Sequence, residues 1–209
     1  MLAQMRERLI RCSTFERAIW AVLDDTIALH GAECGTVQLL SGDELVIVAQ
    51  RHLTPDFLNR FHRVRADGGT ACARALACGA SVVVRDVEIG REFASFRRLL
   101  RSARVRAVQS TPLRTKDGDS LGVLSTHFVN VHEPTKIEME TLQAYAKEAS
   151  QYALKLLGET PLATMAAQMS EELYHSIELT ASPVRYARSA ASSQRQGKPF
   201  PGQQRALAR

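Results

Sequence analysis

Short polar side chains recur along two neighbouring β-strand patterns between residues 105 and 128 of this chain. They are Gln109, Ser110, Thr111, Ser125, Thr126 and His127. Hydroxyl, amide and imidazole groups on an otherwise apolar sheet are the few polar anchors that a small-molecule cavity needs. The pattern predicts a ligand-binding surface. The alternative is that neighbouring backbone groups satisfy each of these polar side chains.

Cysteines are the residues that could carry redox chemistry, which requires a nucleophilic thiolate and a second thiol within its reach. Cys12, Cys34, Cys72 and Cys78 include no CxxC pair. Cys72 and Cys78 lie six residues apart on a predicted helix, so about 240° of rotation separates their side chains. We therefore expect reduced thiols with structural roles and no catalytic residue.

The histidines show no metal-binding spacing. They are His30, His52, His62, His127, His132 and His175. No two have the His-x3-His spacing of a helical site, and no cysteine cluster joins them, so we expect no metal and no cofactor. We expect His127 to be a buried strand histidine and His175 to be an exposed helical one.

The charge of the chain is concentrated at its end. Six basic residues and no acidic residue follow Glu178, which exceeds the whole formal charge of +5 and leaves the remainder close to neutral. Residues 181–209 are also rich in Ser, Gln, Pro and Gly, so we expect a disordered basic tail without a specific nucleic-acid site. No apolar run approaches the roughly 20 residues that span a bilayer, which predicts a cytoplasmic protein with no membrane partner.

The elements that position these residues alternate between helices and hairpins. A capping box at Ser13-Thr14-Phe15-Glu16 begins a helix that ends at Gly31. A hairpin over 35–50, short helices over 56–61 and 71–77, and a strand over 81–84 follow, with 63–69 as a connection. An Asp-Gly turn at 117–118 then joins the two polar strands in a second hairpin.

Two further helices flank that second hairpin. The segment 86–104 is predicted to form a lid whose helical half has a basic outer face with Arg97, Arg98, Arg101 and Arg104. A closing helix begins after Pro134 and ends at Gly158. Its Leu142, Ala146, Ala149 and Ala153 keep a spacing of three or four residues, which fits either packing on the sheet or a dimer seam.

Antiparallel hairpins with segregated helices predict an α+β fold. At this level the chain resembles the GAF domain family, in particular the modules found beside PAS domains and histidine kinases in bacterial sensors. The resemblance covers roughly residues 15–156. It is strongest in GGTACARALACGASVVVRDVE at 68–88, in FASFRRLLRSARVRAVQSTPLRTKDGDSLGVLSTHF at 93–128, and in the closing helix.

The resemblance implies a central antiparallel sheet with the terminal helices on one face, and with short helices and a lid enclosing a pocket on the other. It further implies that a small molecule occupies the pocket and that occupancy is signalled through the terminal helices to a partner domain. The pocket residues implied in this chain are Cys72, Asp86, Phe93, Phe96, Gln109, Thr111, Ser125 and His127.

Other activities of similar proteins fit the residues less well. The NKFDE-like motif of cyclic-nucleotide-binding GAF domains is absent, and neither Cys72 nor Cys78 precedes the histidine of a bilin-attachment pair. Free methionine sulfoxide reductase, a GAF enzyme, has a cysteine near the position of Cys72, but the lid cysteine of that enzyme has no counterpart here. EELYHSIEL at 171–179 faintly resembles a kinase phosphoacceptor helix, but no ATP-binding domain fits in the remaining residues.

The predicted organisation is an N-terminal helical extension at 1–12, a GAF domain at 13–158, an amphipathic helical segment at 159–180 and the tail. We expect a non-enzymatic sensory or regulatory domain of bacterial two-component signal transduction, dimeric through its terminal helices, with a histidine kinase or another signalling protein as partner. The alternatives are a reductase, a ligand-free dimerisation module and the sensor region of a truncated histidine kinase.

Overall fold

The computed structural model describes the backbone of residues 1–193 and the side chains of residues 1–178. The strands are β1 (Cys34–Ser41), β2 (Glu44–Arg51), β3 (Arg63–Arg65), β4 (Val82–Val84), β5 (Ala107–Arg114) and β6 (Ser120–Phe128). The helices are α1 (Leu2–Ile10), α2 (Phe15–His30), α3 (Pro55–Phe61), α4 (Ala71–Cys78), α5 (Arg97–Ser102), α6 (Lys136–Leu157) and α7 (Leu162–Ser193). None of the described helices has both the length and the apolar character that a membrane span requires.

A six-stranded antiparallel sheet with the order β3-β2-β1-β6-β5-β4 forms the centre of the compact unit Met1–Leu173. The two predicted hairpins become β1-β2 and β5-β6, and β1 pairs with β6 to join them. The predicted α+β fold with a central antiparallel sheet is therefore confirmed. The prediction missed β3, because three residues in a Gly-containing connection have too short an alternation to be recognised as a strand.

The helices α1, α2 and α6 bury their apolar residues with one face of the sheet in a single core. Tyr145 of α6 is fully buried there, and its hydroxyl donates a 2.6 Å hydrogen bond to Asp25 of α2. Arg8 of α1 forms an ion pair with the same carboxylate. Burial of a carboxylate is costly unless it is paired and hydrogen-bonded, so these contacts fix how the three helices meet.

The residues of the predicted dimer seam on α6 are buried in the core of the domain itself. Leu142, Ala146, Ala149 and Ala153 are each no more than 2% exposed and belong to the core shared with α2 and the sheet. Small residues at helical spacing allow close approach of any packed element, and here that element is part of the same chain. These four residues are therefore not a surface for self-association, and the seam interpretation is wrong.

The ends of the helices follow local capping rules. The side chain of Thr14, rather than Ser13, caps α2 by accepting from the backbone N–H of Arg17. Thr135 and Glu138 form a complete capping box at the start of α6. Gly31 ends α2 with a φ of 58°, a left-handed conformation that glycine adopts without a steric penalty.

Gly122 allows β6 to approach β1 closely. A Cβ atom at this position would lie 1.9 Å from the backbone oxygen of Gln38 and 2.8 Å from the Cα of Leu39. No side chain fits such a gap, so the pairing of the two hairpins requires glycine at this point.

The C-terminal part of the chain differs from its prediction. Helix α7 continues to Ser193, into the range 181–209 that was predicted to be disordered, and residues 194–209 lie outside the described part. Within the second unit, Tyr174–Arg209, the side chain of His175 is exposed as predicted.

Candidate functional site

A cavity of about 200 Å³ lies on the face of the sheet opposite the α2-α6 core, beneath α3, α4 and the lid. Its walls come from four strands and from the covering helices. The lining residues are Thr36, Gln38, Ile47, Phe57, Phe61, Gly69, Thr70, Ala71, Cys72, Glu92, Phe93, Phe96, Leu100, Val108, Ser110, Ser125 and His127. Most of this surface is apolar, and its polar groups are concentrated on the strands.

Three hydroxyl residues form a row across the floor of the cavity. Ser125 of β6 is in register with Thr36 of β1 on one side and with Ser110 of β5 on the other. All three are buried, and the hydroxyl oxygens of Ser110 and Ser125 are 2.8 Å apart. Residues opposite each other in neighbouring strands project to the same face, so register alone assembles the row.

His127 lies two residues beyond Ser125 and therefore projects to the same face. Its ring is 5% exposed, packs edge-on against Phe57 with ring centroids 5.2 Å apart, and its Nδ1 has no hydrogen-bond partner among the described residues. Burial lowers the pKa of His127 to about 4, so the ring is neutral at pH 7. The histidine is buried in the strand as expected, but its Nδ1 is not satisfied by a neighbouring group of the described residues.

Cys72 contributes a thiol to the cavity. It lies in the first turn of α4, and its sulfur is 3.1 Å from the hydroxyl oxygen of Thr70. Burial raises the pKa of this thiol, which keeps it protonated at neutral pH. Cys78 is exposed, and its sulfur contacts the backbone oxygens of Ala75 and Ala80.

The lid closes the cavity with apolar side chains. Phe93, Phe96 and Leu100 face inward. The guanidinium of Arg97 donates to the backbone oxygens of Val87 and Gly90 and so holds the lid in its folded path.

Asp86, predicted as a pocket residue, lies at the base of the lid and does not line the cavity. Its carboxylate accepts a 2.7 Å hydrogen bond from Arg106 and another from the backbone N–H of Glu88. The hydrogen bond from Arg106 is the main reason why the pKa of Asp86 is lowered. Arg101 pairs with Glu88 in the same way, so the basic face of the lid is partly neutralised by its own segment.

Gln109 and Thr111 also differ from their predicted positions. They alternate with Val108 and Ser110 along β5 and therefore project to the opposite side of the sheet. Gln109 donates to the sulfur of Met139 on α6, and Thr111 lies 2.9 Å from the hydroxyl of Ser81, oxygen to oxygen. The polar residue of β5 that reaches the cavity is Ser110.

Several cavity residues were absent from the prediction. Thr36 and Gln38 are two residues apart on β1, with the apolar Val37 between them. This alternation of polar and apolar residues could have identified both as residues of one strand face. Phe57 and Phe61 of α3 form a tilted pair with ring centroids 4.7 Å apart, and the guanidinium of Arg60 lies 4.8 Å from the centroid of Phe96. No local signal in the sequence identifies which face of so short a helix turns toward the sheet.

The residues with described side chains include no group of three or more His, Cys, Asp or Glu that could hold a metal ion. Glu92 is the acidic residue of the cavity lining, and it pairs with Arg74 at 3.3 Å with its side chain 45% exposed. The pKa values of Cys72 and His127 are shifted toward their neutral forms, so these two buried groups of the lining are uncharged at pH 7.

Comparison with known proteins identifies the architecture. The family model described as the GAF domain matches residues 12–152. A search of the curated proteins found no match.

Solved structures provide an independent comparison. The GAF domain from an Acinetobacter phosphoenolpyruvate-protein phosphotransferase has a TM-score of 0.61 at 10% identity, with 74% of this chain and 90% of that chain covered. The free methionine-R-sulfoxide reductase from Neisseria meningitidis, solved with its substrate, has a TM-score of 0.58 at 20% identity, with 74% and 87% covered. A domain of a two-component sensor histidine kinase protein from Sinorhizobium meliloti 1021 has a TM-score of 0.53 at 17% identity, with 66% and 90% covered. At identities this low, the structural similarity demonstrates a shared fold and no more.

Proposed function

This chain belongs to the GAF domain family, and we propose that it is a sensory or regulatory domain that binds a small molecule in the cavity beneath its lid. The observation that carries the proposal is the buried, neutral imidazole of His127, a polar ring in the largely apolar lining of that cavity. A polar side chain in an apolar wall is the kind of group that fixes the orientation of a bound molecule. Enclosed apolar cavities with a few polar groups are typical of ligand sites.

Occupancy would be transmitted to the terminal helices through the sheet. On the face opposite the cavity, the Thr126 hydroxyl lies 3.3 Å from Nδ1 of His30 in α2. Gln109 contacts Met139 at the start of α6 on the same face. A ligand that moves Ser125 or Ser110 therefore also moves a residue bonded to a helix. We propose that this displacement, in a cytoplasmic bacterial pathway, is the signal.

The partner in this proposal is a histidine kinase or another signalling protein. The similarity to a domain of a sensor histidine kinase protein supports it. We also propose that the domain acts as a homodimer, which must use surfaces other than the four buried residues of α6. Light scattering across a range of concentrations tests this part separately.

Reductase activity is the second candidate, and Cys72 on the cavity wall is the observation that favours it. Reduction of a sulfoxide by thiols requires a thiolate to attack the substrate sulfur, which yields the thioether product and a cysteine sulfenic acid, and a second thiol to convert that sulfenic acid to a disulfide with release of water. The raised pKa of Cys72 and the exposed position of Cys78 both oppose this sequence of steps. Thiol-dependent turnover of free methionine sulfoxide, with Cys72→Ser as control, decides between the two functions.

The direct test of binding is to purify the protein from a bacterial host, denature it and analyse the released small molecules by mass spectrometry. We expect a compound present at about one equivalent, which is absent when Ser125→Leu fills the cavity. The matched control is Ser102→Leu, because Ser102 is exposed on the lid. An empty protein whose melting temperature is unchanged by a metabolite panel would favour a ligand-free dimerisation module.

A further inference from the structure

The size of the cavity restricts its occupant. An apolar protein cavity of about 150 Å³ holds one benzene molecule, and the cavity here measures about 200 Å³. It therefore admits a single six-membered ring with a small substituent. A tetrapyrrole or a nucleotide is too large to lie wholly within this volume.

Aromatic side chains define the shape of that space. Phe57, Phe61, Phe93 and Phe96 all line it, and the ring of Phe61 lies 5.4 Å from that of Phe96, centroid to centroid. Aromatic pairs in tilted or edge-to-face arrangements gain about 0.5–1.5 kcal/mol beyond the burial of apolar area. A flat ring held between these side chains therefore binds more tightly than an aliphatic ring of equal size.

The cavity lining offers no counter-charge to an anionic ligand. No arginine or lysine lines it, and Arg60, which stacks on Phe61 and Phe96, does not line it either. The carboxylate of the lining, Glu92, already has Arg74 as its partner. Moving an ionised carboxylate or amine from water into this space without a counter-charge is strongly unfavourable.

The polar groups of the floor specify one hydrogen-bonding substituent. Ser110 and Ser125 are hydrogen-bonded to each other, which leaves one O–H donor between them, and Nδ1 of His127 is unpaired. Ser125 and His127 are two residues apart on one strand face, about 7 Å along the strand. A hydroxyl group on the ligand both donates and accepts, so it suits either tautomer of His127.

Combining size, shape, charge and polarity, we propose that the cavity takes a neutral monocyclic aromatic compound with one small hydrogen-bonding substituent, its ring among Phe57, Phe61 and Phe96 and its polar group at His127. This assignment rests on the proposed sensory function and names the chemical class of its ligand. It distinguishes the site from one built for an anionic metabolite, which would present arginine or lysine to its ligand.

The test uses the full chain and three probes of matched size, which are phenol, benzoate and cyclohexanol. Each is titrated against the 15N-labelled protein, and the amide shifts of Ser125 and His127 report binding in the cavity. We expect phenol to bind about tenfold more tightly than benzoate, because the anion leaves its solvation shell without a partner. We expect cyclohexanol to bind about threefold or more weakly than phenol, because it lacks the ring interaction.

Two variants locate the binding site. His127→Leu removes the polar anchor and is expected to weaken phenol about tenfold, while His175→Leu, at an exposed histidine, leaves the affinity unchanged. Phe96 is half-buried in the lid, so Phe96→Ala should disturb the fold less than His127→Leu does. It is expected to weaken the binding of phenol more than that of cyclohexanol, because only phenol has a ring interaction to lose. If His127→Leu does not fold, Phe96→Ala still tests the binding site.

The outcomes separate the ligand class from the function. Phenol binding with the expected order and variant effects supports the proposal. Benzoate binding as tightly as phenol, or a charged or polycyclic compound released from the host-purified protein, overturns the ligand class and leaves the sensory function intact. Failure of all three probes, together with an empty host-purified protein, overturns both.

Discussion

Ser110 and Ser125 lie opposite each other in the β5-β6 ladder, and their hydroxyl oxygens are 2.8 Å apart on the floor of the cavity. Both are almost completely buried, at 0% and 3% exposure. Each hydroxyl is therefore the hydrogen-bond partner of the other in the folded protein. The pair contributes both to the stability of the sheet and to the polarity of the site.

The first prediction concerns this pair. Ser125→Ala leaves the hydroxyl of Ser110 without its partner and is expected to lower the free energy of unfolding by about 1–2 kcal/mol. The double variant Ser110→Ala/Ser125→Ala should cost less than the sum of the single changes, because no orphaned hydroxyl remains. Urea denaturation of the four proteins measures the coupling, with Ser102→Ala as an exposed control. Strict additivity would contradict the structural pairing.

The stability of the domain should fall in acid. Burial lowers the pKa of both His127 and His30 to about 4, whereas an unfolded histidine titrates near about 6.5. Between these values the unfolded chain binds more protons than the folded one, so stability is full above pH 6.5 and is lost as the pH falls toward 4.

The measurement is the free energy of unfolding at pH 7.5 and at pH 5. His127→Gln removes one titrating group and should reduce the difference in stability between the two pH values, while His30, His62 and His132, whose pKa values burial also lowers, retain the rest. The pKa of His30 is lowered mainly by burial. The charge of Glu138 acts to raise this pKa, and His132 acts to lower it further. A difference unchanged by His127→Gln would mean that His127 does not resist protonation in the folded protein.

Ala149→Glu should unfold the domain rather than dissociate an oligomer. Ala149 is 1% exposed within the core, so the change buries an unpaired carboxylate and a larger side chain, at a cost of several kcal/mol. Circular dichroism and thermal denaturation measure the effect. Gln151→Glu introduces the same charge at an exposed position of α6 and should be nearly neutral. A folded Ala149→Glu protein with altered oligomeric state would restore the seam interpretation.

The two thiols of α4 should differ in reactivity. The pKa of Cys72 is raised by burial, whereas Cys78 is exposed, so iodoacetamide at pH 7.5 is expected to modify Cys78 at least about tenfold faster. Peptide mapping over time distinguishes the sites, and Cys78→Ser isolates the slower one. Rapid alkylation of Cys72 would instead revive the reductase candidate.

Gly122→Ala should destabilise the sheet. The added methyl group would meet the backbone oxygen of Gln38 at 1.9 Å, and the strands must separate to admit it. We expect a loss of about 3 kcal/mol or failure to fold. Gly69→Ala is the matched control, since no atom lies within 4 Å of a Cβ there and its φ is not in the left-handed range. Equal melting temperatures for the two variants would contradict the close approach of β1 and β6.

Local sequence patterns were sufficient for most of the fold and for part of the site. The Asp-Gly turn, the capping residues before α2 and the period of two along β6 are local, and each predicts its element. Ser125 and His127 were found because one strand places them on one face. By contrast, Ser110 could not be distinguished from Gln109 and Thr111 without the register of β5 against β6.

The residues missed by sequence reasoning depend on long-range packing. Phe57 and Phe61 reach the cavity only because α3 folds back over the sheet. The same limitation explains why a dimer seam was wrongly predicted on α6. Ala146 and Ala149 have the spacing of a contact surface, and that spacing is the same whichever helix or sheet covers it. Periodicity predicts that a face is buried, and tertiary structure determines what buries it.

The alternation along β6 has an evolutionary consequence. Ser125 and His127 face the cavity, while Leu124 and Thr126 face the helices. Substitutions at positions 125 and 127 can therefore change which compound is recognised, while the helix contacts of Leu124 and Thr126 are retained. A lineage could thus acquire responses to new compounds by point mutation and keep the output surface that its partner already recognises.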